Sequence, residues 1–295
     1  MSSSKVFHKI VLGTAQFGLS YGIANTAGQV SRTETASILN LAKNRGINTL
    51  DTAIAYGESE KVLGDIGIHD WQIISKLPAL PDAVVDVATW VNAQVVGSLQ
   101  RLKTNRLHAI LLHRPAQLLD SRGAELYRAL VVQQERGVVA KIGISIYEAS
   151  ELDQLIPRMR FDVVQAPFNV LDARMINSGW MEQLAATGCE LHVRSVFLQG
   201  LLLMSPANRP TQFDRWQRLW TNWDAWLHDS GLTPLQACLR HALATPGIAK
   251  VVLGIDTTLQ LEQILMASQG DLPPVPDTLK ICDPELLNPA LWKKT

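Results

Sequence analysis

The sequence predicts an α/β fold closed as a (β/α)8 TIM barrel, and three observations carry that prediction. Eight short apolar runs recur along 295 residues, segments of helical periodicity separate most of them, and no G-x-G-x-x-G follows the first run. Parallel strands covered on their outer face read as continuous β-branched runs rather than alternating ones. Strand–helix alternation forces right-handed parallel crossovers, and eight units in a chain of this length close best into a barrel. The missing glycine pattern counts against the open doubly wound sheet, which would bind a dinucleotide after its first strand.

The runs lie at residues 9–12, 47–50, 72–75, 109–112, 140–144, 163–165, 190–193 and 250–253. A helix is expected over 31–46, with Ser31 as N-cap, Glu34 at capping-box spacing, Ile38, Leu39 and Leu41 as apolar positions, and Gly46 at its end. The scheme recurs at 86–102, 122–137 and 181–188, the last two again ending on Gly. No segment reads as a linker, so 1–295 is expected to form a single barrel domain. Between the last two runs, 201–232 exceeds what a barrel turn needs and carries Trp216, Trp220, Trp223 and Trp226 at helical spacing. Either these indoles pack on the barrel wall, or the preceding 201–214 segment lines a substrate mouth.

Composition excludes several classes of function. With 27 basic and 27 acidic residues and no basic run, the electrostatic signature of a nucleic-acid or anionic-membrane partner is missing. A hydrophobic fraction of 47% excludes intrinsic disorder. Cys189, Cys238 and Cys282 are odd in number and far apart, which fits a reducing compartment rather than a disulfide framework or zinc ribbon. Residues 1–9 are Ser-rich without a signal-peptide core, and no apolar run reaches the ~18 residues of a membrane span, so a cytoplasmic location is expected. The neutral charge balance leaves oligomeric state open.

A barrel carries its chemistry at the carboxyl ends of its strands. Asp51 closes the second run with Tyr56 just beyond it, Lys76 closes the third, and His113 closes the fourth. A lysine at the end of an apolar strand is costly unless a carboxylate pairs with it, and Asp51 is one strand away. A phenol with a pKa of ~10 is a poor proton donor at neutral pH, and an adjacent ammonium makes proton release easier. A neutral imidazole can orient a carbonyl oxygen by hydrogen bonding. With no Ser or Cys elbow and no metal-ligand cluster in the sequence, a bound hydride carrier is the economical partner for this set.

The run Asp51-Thr52-Ala53-x-x-Tyr56-Gly57-x-Ser59-Glu60, then Ser75-Lys76, then Leu112-His113, resembles the aldo-keto reductases over nearly the whole chain. The resemblance implies an NAD(P)(H)-dependent oxidoreductase acting on an aldehyde, ketone or sugar. Tyr56 is then the proton donor, Lys76 and Asp51 its tuning pair, and His113 the orienting donor. It also implies cofactor contacts at Thr14, Ser145, Gln165, Arg194, Ser195, Gly254, Asp256, Gln260 and Gln263. The chain departs from the family pattern at two places. Ile146 follows Ser145 where Asn is usual, and Arg194 stands where an aromatic ring usually stacks on nicotinamide; Arg194 is expected to turn toward the cofactor phosphates or an anionic substrate. The segment 253–263 has no Lys or Arg to grip a 2′-phosphate, and its Asp256 favours NAD, whereas family habit favours NADP, so both cofactors stay open. An alternative implied by the same barrel is a nicotinamide-binding regulatory subunit with little turnover.

Overall fold

In the computed structural model, residues 7–20 and 28–292 are described; the Ser-rich start of the chain lies mostly outside them. Eight parallel strands form a closed barrel in chain order. They are β1 (Ile10–Gly13), β2 (Thr49–Asp51), β3 (Gln72–Leu77), β4 (Leu107–Leu112), β5 (Val139–Ser145), β6 (Val163–Pro167), β7 (Glu190–Arg194) and β8 (Ile248–Gly254). The ring closes where Ile10–Gly13 pairs with 251–254. The longer helices of the outer layer are α1 (Arg32–Asn44), α2 (Ser59–Ile66), α3 (Val87–Leu102), α4 (Gly123–Glu135), α5 (Trp180–Thr187), α6 (Gln217–Ser230), α7 (Pro234–Ala244) and α8 (Thr258–Ala267). No described helix is long and apolar enough to cross a membrane.

The apolar residues split into two groups, as a closed sheet requires. Most buried side chains fill the shell between strands and helices, while Ile74, Ala109, Leu111 and Val163 form a separate cluster. Side chains two apart on a strand share a face. Lys76 therefore follows Ile74 on its face of the sheet, and Gln165 follows Val163. Both polar residues belong to their strands rather than to the loops beyond them.

Two expectations about the outer layer resolve differently. On α1, the Ser31 hydroxyl accepts from the Glu34 N–H at 3.2 Å, as expected for an N-cap. The Glu34 carboxylate, however, accepts from the N–H of Thr258 on α8 at 2.6 Å. The anticipated capping-box partner thus bridges to the last helix. The indoles Trp220, Trp223 and Trp226 are buried on α6 as wall packing, and Leu203 is the residue of the 201–214 segment that reaches the cavity at the carboxyl ends of the strands.

Candidate active site

Tyr56 stands in the turn after β2, and two glycines allow that turn to seat. A Cβ on Gly18 would lie 1.9 Å from the Tyr56 carbonyl oxygen and 2.4 Å from the Ser59 nitrogen. Gly57 has φ +53°, the left-handed region, and a Cβ there would meet the Gly18 oxygen at 2.5 Å. The Ser59 hydroxyl lies 2.9 Å from both the carbonyl oxygen and the hydroxyl of Thr14, and 3.1 Å from the Thr52 hydroxyl. Beneath it, buried Glu60 accepts from Ser75 and Ser98 at 2.6 Å each and from Arg101 Nε at 2.8 Å. The turn therefore rests on a buried carboxylate with both oxygens engaged.

Lys76 is 1% exposed, and its ammonium is fixed by two acceptors. Nζ donates to Asp51 Oδ1 at 2.5 Å and to the Thr52 carbonyl at 2.9 Å. The other Asp51 oxygen accepts from Gln165 Nε2 at 2.7 Å, across the barrel. Burial works against the lysine charge, but the Asp51 carboxylate, with Tyr56 when ionised, outweighs it, and the pKa stands above the ordinary lysine value. Nζ lies 5.1 Å from the Tyr56 ring centroid. The His113 ring meets Tyr56 edge-on, with centroids 5.9 Å apart. Burial, reinforced by the Lys76 and Arg194 charges, lowers the His113 pKa to about 4, so the imidazole is neutral near pH 7. The four residues singled out from three strand ends thus form one contiguous group.

A cavity of about 390 Å³ begins at Asp51 and Tyr56 and runs past the ends of β7, β8 and β1 to the flank of α8. Thr14, Arg194, Ser195, Gly254, Asp256, Gln260 and Gln263 line it, together with Gln16, Phe197 and Gln199. The segment after β7 has positive φ at Ser195 (62°), Leu198 (47°), Gln199 (57°) and Gly200 (92°). Such strained backbone concentrates at ligand-binding sites.

Thr14, Ser145 and Gln165, among the expected cofactor contacts, use their side chains in hydrogen bonds within the protein. The Thr14 hydroxyl donates to the Asp51 carbonyl at 3.0 Å. Ser145 donates to Gln165 Oε1 at 3.3 Å, while the Gln165 amide holds Asp51; neither residue lines the cavity. Arg194 does line that cavity. Its guanidinium donates to the Ile146 carbonyl at 2.9 Å and to the Ser195 hydroxyl at 3.3 Å, and lies 4.6 Å from the Tyr147 ring centroid. A carbonyl and an aromatic face on the β5 loop thus fix the guanidinium at the cavity wall.

Residues 9–275 match the aldo/keto reductase family. The chain belongs to that family. Its similarity to YqkF of Bacillus subtilis, named as an uncharacterized oxidoreductase, is 23% identity over 88% of this chain and 90% of the other. An uncharacterized oxidoreductase of Schizosaccharomyces pombe, C28F2.05, is 31% identical across 39% of this chain and 43% of its own. Among solved structures, the holo form of the aldo-keto reductase AKR11C1 from Bacillus halodurans superposes with a TM-score of 0.71 at 18% identity, covering 97% and 94% of the two chains. The protein is accordingly an oxidoreductase, of a family that uses a nicotinamide dinucleotide.

Within this aldo/keto reductase barrel, sequence reasoning missed Glu34 as a neighbour of the β8–α8 turn. It also missed Gln16, whose side chain occupies the space that a Cβ on Gly254 would need, at 2.2 Å. No local signal announces either residue, since each acts on a segment more than 200 positions away.

Proposed function

We propose that this enzyme interconverts a carbonyl group, on an aldehyde, ketone or sugar, with the corresponding alcohol, using Tyr56 as proton donor. The observation that carries the reading is the buried Lys76 ammonium, tied to Asp51 at 2.5 Å and lying 5.1 Å from the Tyr56 ring centroid. A fixed cation beside a phenol favours its ionised form and so eases release of the proton to a carbonyl oxygen. Asp51 holds that cation in place, and Gln165 holds Asp51. Neutral His113, with its pKa near 4, has an N–H that can orient the same oxygen without bringing in a further positive charge.

The cavity suits a nicotinamide dinucleotide in two respects. It is elongated from Tyr56 toward Gln263, and Asp256 Oδ1 is a buried acceptor with no hydrogen-bond partner, as a ribose hydroxyl would require. Ser195, Gly254, Asp256, Gln260 and Gln263 would hold the dinucleotide, with Thr14 and Arg194 at the catalytic end. When bound, the dinucleotide supplies the hydride in reduction and accepts it in oxidation. In reduction, Tyr56 passes its hydroxyl proton to the carbonyl oxygen, and the resulting phenolate rests beside Lys76 until solvent reprotonates it.

The test is Tyr56→Phe, followed by nicotinamide absorbance over a panel of aldehydes, ketones and sugars. Loss of proton transfer should lower kcat by about 10²–10⁴-fold while dinucleotide affinity stays within about twofold. Retained turnover in the variant removes Tyr56 as donor. Tight dinucleotide binding without turnover on any substrate in the wild-type protein favours the regulatory-subunit reading.

A further inference from the structure

At the far end of the cavity, Asp256 and a segment without Lys or Arg are joined by a carboxylate from α1, a contact that no local pattern announces. In barrels of this class, the loops after the last two strands and an adjoining helix N-terminus commonly bind phosphate, since free N–H groups and the helix dipole attract an anion there. Here three N–H groups at the β8–α8 turn are engaged. The Asp256 N–H donates to Gln260 Oε1 at 2.8 Å, Thr258 N–H to Glu34 Oε1 at 2.6 Å, and Gln260 N–H to Thr257 Oγ1 at 3.1 Å. Glu34 also accepts from the Thr258 hydroxyl at 3.1 Å. A carboxylate from the first helix thus sits where an incoming anion would gain most from α8, and 253–263 contains no Lys or Arg to counter it. Beside it stands Asp256, whose Oδ1 is buried without a partner; of the described residues with such an atom, Asp256 is the one that lines the cavity.

We infer that the site selects the dinucleotide without a 2′-phosphate, NAD(H), and that Glu34 determines this selectivity together with Asp256. The inference rests on the nicotinamide-enzyme reading above. Asp256 offers an acceptor to a ribose hydroxyl, which completes its hydrogen bonding. The same oxygen and the Glu34 carboxylate repel a 2′-phosphate, and Glu34 already occupies the Thr258 donor that the phosphate would use. Two negative charges at one subsite act in the same direction, so their effects on NADPH affinity combine while NADH affinity depends mainly on Asp256.

Isothermal titration calorimetry of the full chain with NADH and with NADPH tests this without turnover. The wild-type protein is expected to bind NADH at least about tenfold more tightly than NADPH, a gap that narrows as salt screens the carboxylates. Glu34→Gln keeps an acceptor for Thr258 but removes the charge. It should tighten NADPH binding about three- to tenfold and leave NADH within about twofold. Asp256→Asn should tighten NADPH and weaken NADH, and the double variant should bring the two affinities within about threefold of each other. Thermal melts of each variant confirm that it is folded. Equal affinities, or tighter NADPH binding, in the wild-type protein overturn the inference while leaving the nicotinamide reading intact. A Glu34→Gln variant with an unchanged affinity ratio removes the role assigned to Glu34. Failure of either dinucleotide to bind removes the nicotinamide reading itself, and the inference with it.

Discussion

Replacing Lys76 by Met probes the centre of the site through stability as well as activity. The substitution preserves much of the side-chain volume while deleting the ammonium, which is 1% exposed and bonded to Asp51 at 2.5 Å and to the Thr52 carbonyl at 2.9 Å. Asp51, itself 3% exposed, keeps Gln165 at 2.7 Å but loses its cation. Removing one member of a buried pair costs about 3–5 kcal/mol, because the other charge is left uncompensated. Pairing Lys76→Met with Asp51→Asn removes both charges, so most of that penalty should return and the coupling energy should reach about 2 kcal/mol. Urea unfolding, followed by far-UV circular dichroism and by the fluorescence of the buried indoles, measures all four corners of the cycle. A single Lys76→Met loss below about 1 kcal/mol, or a double variant no better than the single, refutes the tight buried pair on which the proton-donor argument depends. Activity is expected to be lost in both variants.

Three further predictions follow from the same geometry. Gly18→Ala forces a methyl into the Tyr56 turn, so we expect about 1–3 kcal/mol of destabilisation and, from a displacement of ~1 Å at Tyr56, a kcat loss approaching 100-fold, measured by melts and steady-state kinetics. Burial lowers His113 and His241 to about 4 from 6.5, so below pH 6.5 the unfolded chain takes up protons that the folded one refuses. Stability should therefore fall as pH drops from 6.5 toward 4, by up to about 3 kcal/mol per histidine, and His241→Asn should flatten that part of the urea-derived profile. Glu60→Ala strips a buried acceptor from Ser75, Ser98 and Arg101, and equilibrium unfolding should register a loss of about 3–5 kcal/mol.

The strands were legible because a parallel strand covered on both faces is rich in apolar and β-branched residues without strict alternation, and each of the eight runs falls on an observed strand. Their carboxyl ends were read short. The runs expected to end at Ser75, Gln165 and Val193 extend to Leu77, Pro167 and Arg194, because pairing with the neighbouring strand continues past polar residues such as Lys76 that break the apolar pattern, to Leu77 beside Leu112 and Pro167 beside Arg194. The grouping of Asp51, Tyr56, Lys76 and His113 was legible for a related reason: residues at neighbouring strand ends must meet if the strands are neighbours. Contacts between distant elements left no such trace. Glu34 stood at capping-box spacing from Ser31, and only the packing of α1 beside α8 shows which N–H it serves. Arg194 likewise chose the Ile146 carbonyl and the Tyr147 ring, two partners that no local pattern names.

The pairing of Ile10–Gly13 with 251–254 has a consequence for how the chain is made. The first strand to leave the ribosome waits for the last before its outer edge is covered, so through nearly all of synthesis the nascent sheet presents two open rims capable of recruiting a foreign strand. Contacts of such sequence separation also slow the final closure. A chain interrupted before Ile248 would keep both rims exposed and be a natural client for chaperones, even with the catalytic quartet already synthesised.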